Sequence, residues 1–443
     1  MLDNDSVSRL INALFPFQYS IVGVDNDRAC EILKEILPFK VHEYPSGSEI
    51  NGWIIPHGWR LDLLQIYKND EVLFEFRDHP FCVPRNTPPV DSKGLSYDEL
   101  LARVNRSVSG NSDDFVYDWR NLYRNQPLDW SLCLSEKMIE ELDRLSTYRV
   151  VIESTFYPST MKVLEFDTHP NVGKSVVINA HNCHPFQAND DVSGMVAGII
   201  LAKQWSMEVN PDLNLKLLIA PELYGPIFYL DAEHETSTLL GALLLKAVGN
   251  DGNLKLQESV QIDSSISSVS RRLFHEKKES GRIYPFRELY GNDEIVFENP
   301  PFCIPTITLT RIPFAEYHNS SDIPEKISIL SINQTVSMAL EIIRSFSGNF
   351  SYYWLMRGLP KLSDLAQDLY KPTWAHGIHN EGGGELERNW HLLMNSLPAL
   401  LDMGRTPLDL SNQFDLPILE VIQYLSKWEE AGFIGRIKKP ENS

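Results

Sequence analysis

The sequence predicts an α/β sandwich with a mixed sheet, a small β-rich inserted domain and a winged-helix domain at the carboxyl end. Three observations lead there. Between about residues 140 and 345, short apolar runs of strand length alternate with helical runs, as expected of helices layered on one sheet. From Pro45 to Pro89 the chain is instead rich in Trp, Pro and Gly and alternates with strand period. Its last stretch, TPLDLSNQFDLPILEVIQYLSKWEEAGFIGRI, reads as helix, turn, second helix and the start of a β-wing.

A chain of 443 residues exceeds one ordinary domain of roughly 100–200 residues. The pattern divides it into 1–44 plus 136–347 for the sandwich, 45–135 for the insertion and 348–443 for the last domain. Within the insertion, RLDLLQIY and EVLFEF flank KND as a hairpin, and SYDELLARV forms a short helix. In the sandwich, VVIES and KVLEF flank YPST as a second hairpin, and SVVINA is a buried strand. SGMVAGIILAKQW is a helix apolar nearly all round, hence buried. LNLKLLIA and TITLTRI are further strands, and Pro324 opens the long amphipathic run EKISILSINQTVSMALEIIRSF.

Composition excludes several classes of function. With 60 acidic against 40 basic side chains the net charge is −20, which opposes non-specific binding to nucleic acid or an anionic membrane. The second helix of the terminal domain carries Glu420, Glu429 and Glu430 against Lys427, and Arg436, Lys438 and Lys439 in the wing do not reverse that sign. Self-association or protein binding is therefore expected of that domain rather than nucleic-acid reading, including a homo-oligomer formed through it. No apolar run reaches the 18 or more residues of a membrane span, and the amino terminus lacks the basic start of a secretory signal. Five scattered cysteines without a C-x-x-C pair speak for a reducing compartment, so a cytoplasmic location is expected.

In open α/β sheets functional groups gather at the carboxyl ends of the strands. There SVVINA runs into His181, Cys183 and His184, then Asp190 and Asp191; LNLKLLIA runs into Glu222; TITLTRI leads to His318 and Asp322. Imidazole with carboxylate is a donor set suited to zinc, and a nearby Glu can move the proton of an activated water. Taken singly each has an ordinary reading: a structural His, acids that favour a helix N-terminus, a salt-bridge Glu. The joint arrangement at one sheet edge is what points to a metal centre. Cys183 as a nucleophile activated by His184 is disfavoured, because adjacent side chains seldom point at one another. Trp53, His57, Trp59 and Arg60 are either the core of the insertion or a lid over the cleft.

The motifs HNCHPFQANDDVSG, PELYGPIFYL and EYHNSSDIPEKI resemble the zinc aminopeptidases of the bacterial leucyl aminopeptidase and glutamate carboxypeptidase type. With GSEINGWIIPHGW in the insertion, they resemble still more closely an aminopeptidase-like bacterial family with a β-rich insertion and an appended winged helix. The resemblance implies a zinc-dependent amide hydrolase acting on a small peptide or amide-bearing metabolite. His181 or His184, Asp190 and His318 are then metal ligands, Glu222 the general base and Asp322 a support for the His318 loop. Asp293 and Glu294 resemble a loop acid of these families, expected either to recognise a substrate amine or to sit in a solvated turn, and for Arg311 a structural ion pair is expected ahead of a substrate carboxylate. Three departures stand out. The first motif has His181-Asn182-Cys183 where the broader group has His-x-Asp, the usual Glu pair is a single Glu222, and Lys246 stands near the position of a further ligand Asp. An ammonium beside a second divalent ion is repulsive, so one zinc is expected where the group has two. The same departures keep open a second reading, a metal-binding or assembly protein with little hydrolytic activity.

Overall fold

The computed structural model describes residues 3–107, 110–124, 128–185, 187–232, 236–277, 281–363, 368–371 and 384–437. Phe186 of the first motif, and Lys438 and Lys439 of the expected wing, lie outside these. The chain divides into two compact units, residues 1–257 with 284–336, and residues 258–283 with 337–443.

In the first unit seven strands of the main sheet follow the order Lys40–Pro45, Thr160–Asp167, Asn214–Ala220, Ser175–His181, Leu239–Lys246, Thr306–Thr310 and Lys255–Gln257. The four from Asn214–Ala220 to Thr306–Thr310 are mutually parallel, and the outer pairings are antiparallel. The mixed sheet read from the sequence is thus present. Ser175–His181 is buried at every position, as suits a central parallel strand with the apolar run Val176, Val177 and Ile178. The helix Ser193–Trp205 that follows it is buried almost throughout, which explains why it lacks a polar face. At its start only glycine fits. A Cβ on Gly194 would lie 2.3–2.4 Å from the Asp191 carboxylate oxygens and the Leu245 carbonyl.

A second, four-stranded antiparallel sheet in the same unit has the order Glu71–Phe76, Gly58–Lys68, Tyr148–Tyr157, Val90–Leu95. The hairpin around KND forms with Lys68 opposite Glu71, and Asn69 and Asp70 both take positive φ (50° and 68°), the two-residue turn that suits strand twist. The hairpin read around YPST does not form. Tyr148–Tyr157 pairs with Gly58–Lys68, whereas Thr160–Asp167 crosses into the main sheet and pairs with Lys40–Pro45, from Lys40 opposite Glu165 to Pro45 opposite Thr160. Trp59 is part of this sheet's core and donates its indole N–H to the Thr87 carbonyl, so it is a packing residue. Arg60 is exposed and paired with Asp62 at 2.7 Å.

The second unit contains the helices Ser265–Glu276, Glu385–Asp402, Pro407–Phe414 and Ile418–Glu430, and pairs Tyr352–Trp354 with Ile434–Arg436. Thr406 and Asp409 form a capping box at the start of Pro407–Phe414, and Asp415 in the left-handed region turns the chain into the next helix. Trp428, Tyr424, Leu397 and Leu425 are buried in its core. Arg272 donates to Asp415 and to the Leu416 carbonyl, and Glu276 accepts from Ile418 N, which ties residues 258–283 into this unit. Among the described residues no helix is long and apolar enough to cross a membrane.

Candidate metal centre

The centre is built at the carboxyl edge of the parallel strands. His181 ends its strand, and the chain then turns through Cys183 and His184 into the irregular segment Ala188–Val192. The two adjacent acids divide the labour. Asp191 turns inward and accepts from Ala247 N (2.9 Å), Gly194 N (3.2 Å) and His181 N (3.4 Å), joining two strand ends to the helix start. Asp190 turns to the imidazoles. Asp322 accepts from the backbone N–H of Asn189 (2.8 Å) and Asp190 (3.1 Å), holding that segment in place. Burial pushes Asp191 up to about 7 and Asp322 up to about 8.

His318 comes from the loop after Thr306–Thr310 and has φ +56°, a left-handed conformation that costs a non-glycine residue about 1 kcal/mol. It is held there by Tyr117, whose N–H donates to the His318 carbonyl at 2.7 Å, and by Tyr317, stacked on the imidazole at 3.9 Å between centroids. The Tyr117 ring also abuts His184 and His318 at 4.9 and 5.5 Å.

Asp190 Oδ2 lies 3.5 Å from both His184 Nε2 and His318 Nε2. That spacing is long for a hydrogen bond, and His184 Nε2 and Asp190 Oδ2 are both buried without a hydrogen-bond partner. Two donors each about 2.0–2.1 Å from a tetrahedral zinc stand roughly 3.3 Å apart. Two imidazoles and a carboxylate at this separation fit the zinc that the resemblance implies. Burial lowers the His184 pKa well below its ordinary value, which keeps the ring neutral as a ligand must be. Burial alone would raise Asp190, but the Lys246 ammonium, His181 and His184 hold it well below the usual carboxylate range. His184 and Asp190 are almost wholly enclosed, whereas the His318 side chain is 20 % exposed, so the cluster opens on that side.

His181 belongs to a neighbouring set. Lys246, buried at the end of its strand, contacts both Asp190 Oδ1 and His181 Nε2. On its other side His181 Nδ1 is 3.6 Å from Cys183 Sγ, which is 3.7 Å from Glu222 Oε2. Asn292 donates to Glu222 Oε1 at 2.9 Å and Tyr123 to Oε2 at 3.2 Å. Glu222 also lines a cavity of about 700 Å³ with Trp53, Leu223, Ile295, Phe302 and Asp231. Of the insertion's aromatic pair, Trp53 faces this cavity and packs edge-on against Tyr224.

The remaining expected site residues are placed elsewhere. Asp293 is fully buried, accepting from Leu223 N and Asn179 Nδ2 at 2.6 Å each, and burial with the Glu222 charge pushes it up to about 6. Glu294 accepts from Asn292 N and pairs with Arg287 at 3.1 Å, and burial pushes it up to about 7. Both brace the Glu222–Asn292 contact, and neither lines the cavity, so the amine-recognition role expected for them has no exposed carboxylate behind it. The guanidinium of Arg311 is taken up by the carbonyls of Gly252 and Ser331 and by Gln334, none of which belongs to the cluster. Asn292 and Tyr123 were not foreseen, because they reach the site from loops whose spacing carries no motif; Tyr317 lies in the EYHNSSDIPEKI motif but had no role assigned to it.

A family model described as "Domain of unknown function (DUF4910)" matches residues 8–349. The chain belongs to that family. Beyond the DUF4910 match, it is 24 % identical over 352 residues to a protein of Clostridium acetobutylicum named "Putative polysaccharide biosynthesis protein with aminopeptidase-like domain", covering 78 % of this chain and 79 % of that one. Among solved structures, a "putative peptidase" from Clostridium acetobutylicum superposes with a TM-score of 0.80 at 20 % identity, over 98 % of this chain and 96 % of that one. A zinc aminopeptidase from Bacillus subtilis superposes at 0.57 and 12 % identity, over 76 % and 93 %. At these identities the likeness is one of fold: this DUF4910 chain has the mixed α/β architecture of the aminopeptidases.

Proposed function

We propose that the protein is a zinc-dependent amide hydrolase of aminopeptidase type, with one zinc held by His184, Asp190 and His318. The observation that carries this is the pair of 3.5 Å separations of Asp190 Oδ2 from His184 Nε2 and His318 Nε2, with the His184 and Asp190 atoms buried and without a hydrogen-bond partner. A zinc ion bound there supplies Lewis acidity toward an amide carbonyl and toward water. Glu222 is the general base, oriented by Asn292 and Tyr123. It accepts the proton of the attacking water and returns it to the leaving amine. Asp322 positions the ligand carboxylate, and Asp293 and Glu294 position Glu222 through the 292–294 turn.

The substrate is a small peptide or an amide-bearing metabolite. Its side chain would lie in the cavity beside Glu222, whose wall is largely apolar and includes the insertion's Trp53. The name of the clostridial relative joins this fold to polysaccharide biosynthesis, so N-acylated sugars belong in the substrate set beside aminoacyl amides. The helices Pro407–Phe414 and Ile418–Glu430 with the Ile434–Arg436 strand act as a winged-helix module for protein contact, including self-association, because Glu420, Glu429 and Glu430 repel a phosphate backbone.

The test is zinc content by elemental analysis with hydrolysis of an amide library, on wild type, Asp190→Asn and Glu222→Gln. About one zinc per chain is expected in wild type and Glu222→Gln and none in Asp190→Asn. Turnover is expected in wild type alone, the loss in Glu222→Gln being about 10²–10⁴-fold. Wild type without zinc after reloading refutes the reading. Zinc retained with no turnover favours a metal-binding assembly protein, a reading prompted by Glu222 having both oxygens engaged and Lys246 beside the ligand carboxylate.

A further inference from the structure

We infer that Lys246 is a permanent internal cation that stands where a second metal ion would otherwise bind, and that its hydrogen bond decides what His181 does. This deepens the zinc reading above and rests on it for the first ion. The ammonium is buried, 2 % exposed, and its contacts are Asp190 Oδ1 and His181 Nε2, a carboxylate and an imidazole of the kind that bind a divalent ion. The Tyr290 ring lies 5.0 Å from Nζ and adds a π face to the same pocket. A buried cation so placed neutralises the second oxygen of Asp190, and it repels any divalent ion approaching that oxygen.

The consequence for His181 follows from donor chemistry. His181 Nε2 faces both the Asp190 carboxylate, at 3.4 Å from Oδ1, and the nearer Lys246 Nζ; an ammonium has three N–H groups and no acceptor, so against it Nε2 accepts and the ring proton sits on Nδ1. Nδ1–H then points to Cys183 Sγ at 3.6 Å, and the thiol donates to Glu222 Oε2 at 3.7 Å. Every donor in this chain meets an acceptor, and the direction runs from Lys246 to Glu222. Lys246 is therefore a positioning residue for Glu222, acting through His181 and Cys183.

Two variants test this. Lys246→Asp replaces the cation by a ligand beside Asp190 and His181, and at saturating zinc it is expected to bind one ion more than wild type. The difference of one is diagnostic whether wild type holds one ion or none, so a wild type without zinc would refute the hydrolase reading while leaving this comparison decisive. A folded Lys246→Asp with an unchanged count overturns the inference, as does a wild type that takes two ions. Should Lys246→Asp not fold, ¹⁵N NMR of the imidazoles in wild type and Lys246→Met decides. Wild type is expected to show His181 with Nδ1 protonated and Nε2 not, and Lys246→Met to lose that fixed pattern. An Nε2-protonated His181 in wild type, or a pattern unaltered in Lys246→Met, overturns it.

Discussion

Two sets of like residues meet on opposite oxygens of Asp190, and they differ in how their valences are filled. On one side His181, Cys183 and Glu222 form a closed chain in which Lys246, Asn292 and Tyr123 supply the donors. On the other, His184 and His318 stand 3.5 Å from Asp190 Oδ2, and the facing atoms of His184 and Asp190 have no hydrogen-bond partner. Residue type does not separate a ligand from a spectator here. What sets the two sides apart is Lys246, whose ammonium occupies the Oδ1 side and leaves the Oδ2 side, with its two imidazoles, open to a metal cation.

Removing one imidazole from each side is the most direct way to break this comparison. His184→Ala should weaken zinc binding by more than about 100-fold, beyond the loss typical of removing an outer-shell partner. His181→Ala should weaken it less than about tenfold, because that ring already has a partner on each nitrogen. Isothermal titration of the metal-free protein with zinc measures both. Equal losses would mean that the two rings are alternative ligands and that the 3.5 Å spacing carries no information.

Much of this site is legible in the sequence because it is local. Four of the residues now brought together follow strand ends, and Gly194 marks where the helix must pass close to Asp191. The choice between His181 and His184 is not legible, because it depends on a single ammonium that arrives from a strand 65 positions away. Distance in sequence also explains the YPST hairpin. Its two strands are local neighbours, but Thr160–Asp167 finds its partner in Lys40–Pro45, about 120 residues earlier. Asp293 and Glu294 show the same limit in another form. Their charge suits an amine, yet only the fold reveals that backbone N–H groups of Leu223 and Asn292 already use them.

A half-buried imidazole elsewhere sharpens the comparison without any metal. His79 Nδ1 accepts from the backbone N–H of Cys82 (3.0 Å) and Phe81 (3.2 Å), so its lone pair is filled by the chain itself, and burial pushes it down to about 4. The unfolded chain takes up the proton near pH 6.5 and the folded one only near 4. The stabilising contribution is therefore complete above pH 6.5 and lost as pH falls from there toward 4, amounting to about 2 kcal/mol after allowance for partial exposure. Urea unfolding at pH 7.5 and pH 4.5 should show this loss in wild type and a smaller one in His79→Gln, which keeps an acceptor but does not titrate. Equal pH dependence in the two proteins would show that the His79 contacts are not made by a neutral ring.

The smallest expected effect is at Cys183, where two roles predict very different magnitudes. As a nucleophile it would carry the bond-forming step, and its loss would abolish turnover. In the geometry described here it lies between His181 and Glu222 with its pKa raised by burial, which keeps it a thiol rather than a thiolate. Its part is then to pass a hydrogen bond to the carboxylate of Glu222. Serine can do the same, though its shorter C–O bond stretches both contacts. Cys183→Ser should thus retain zinc and lower turnover by less than about tenfold, the equivalent of roughly 1.4 kcal/mol. Thiol alkylation of wild type should be correspondingly slow at this position, since the side chain is buried and protonated. A Cys183→Ser protein that keeps its zinc and loses all turnover would move the chemistry from the metal side of the site to the closed side.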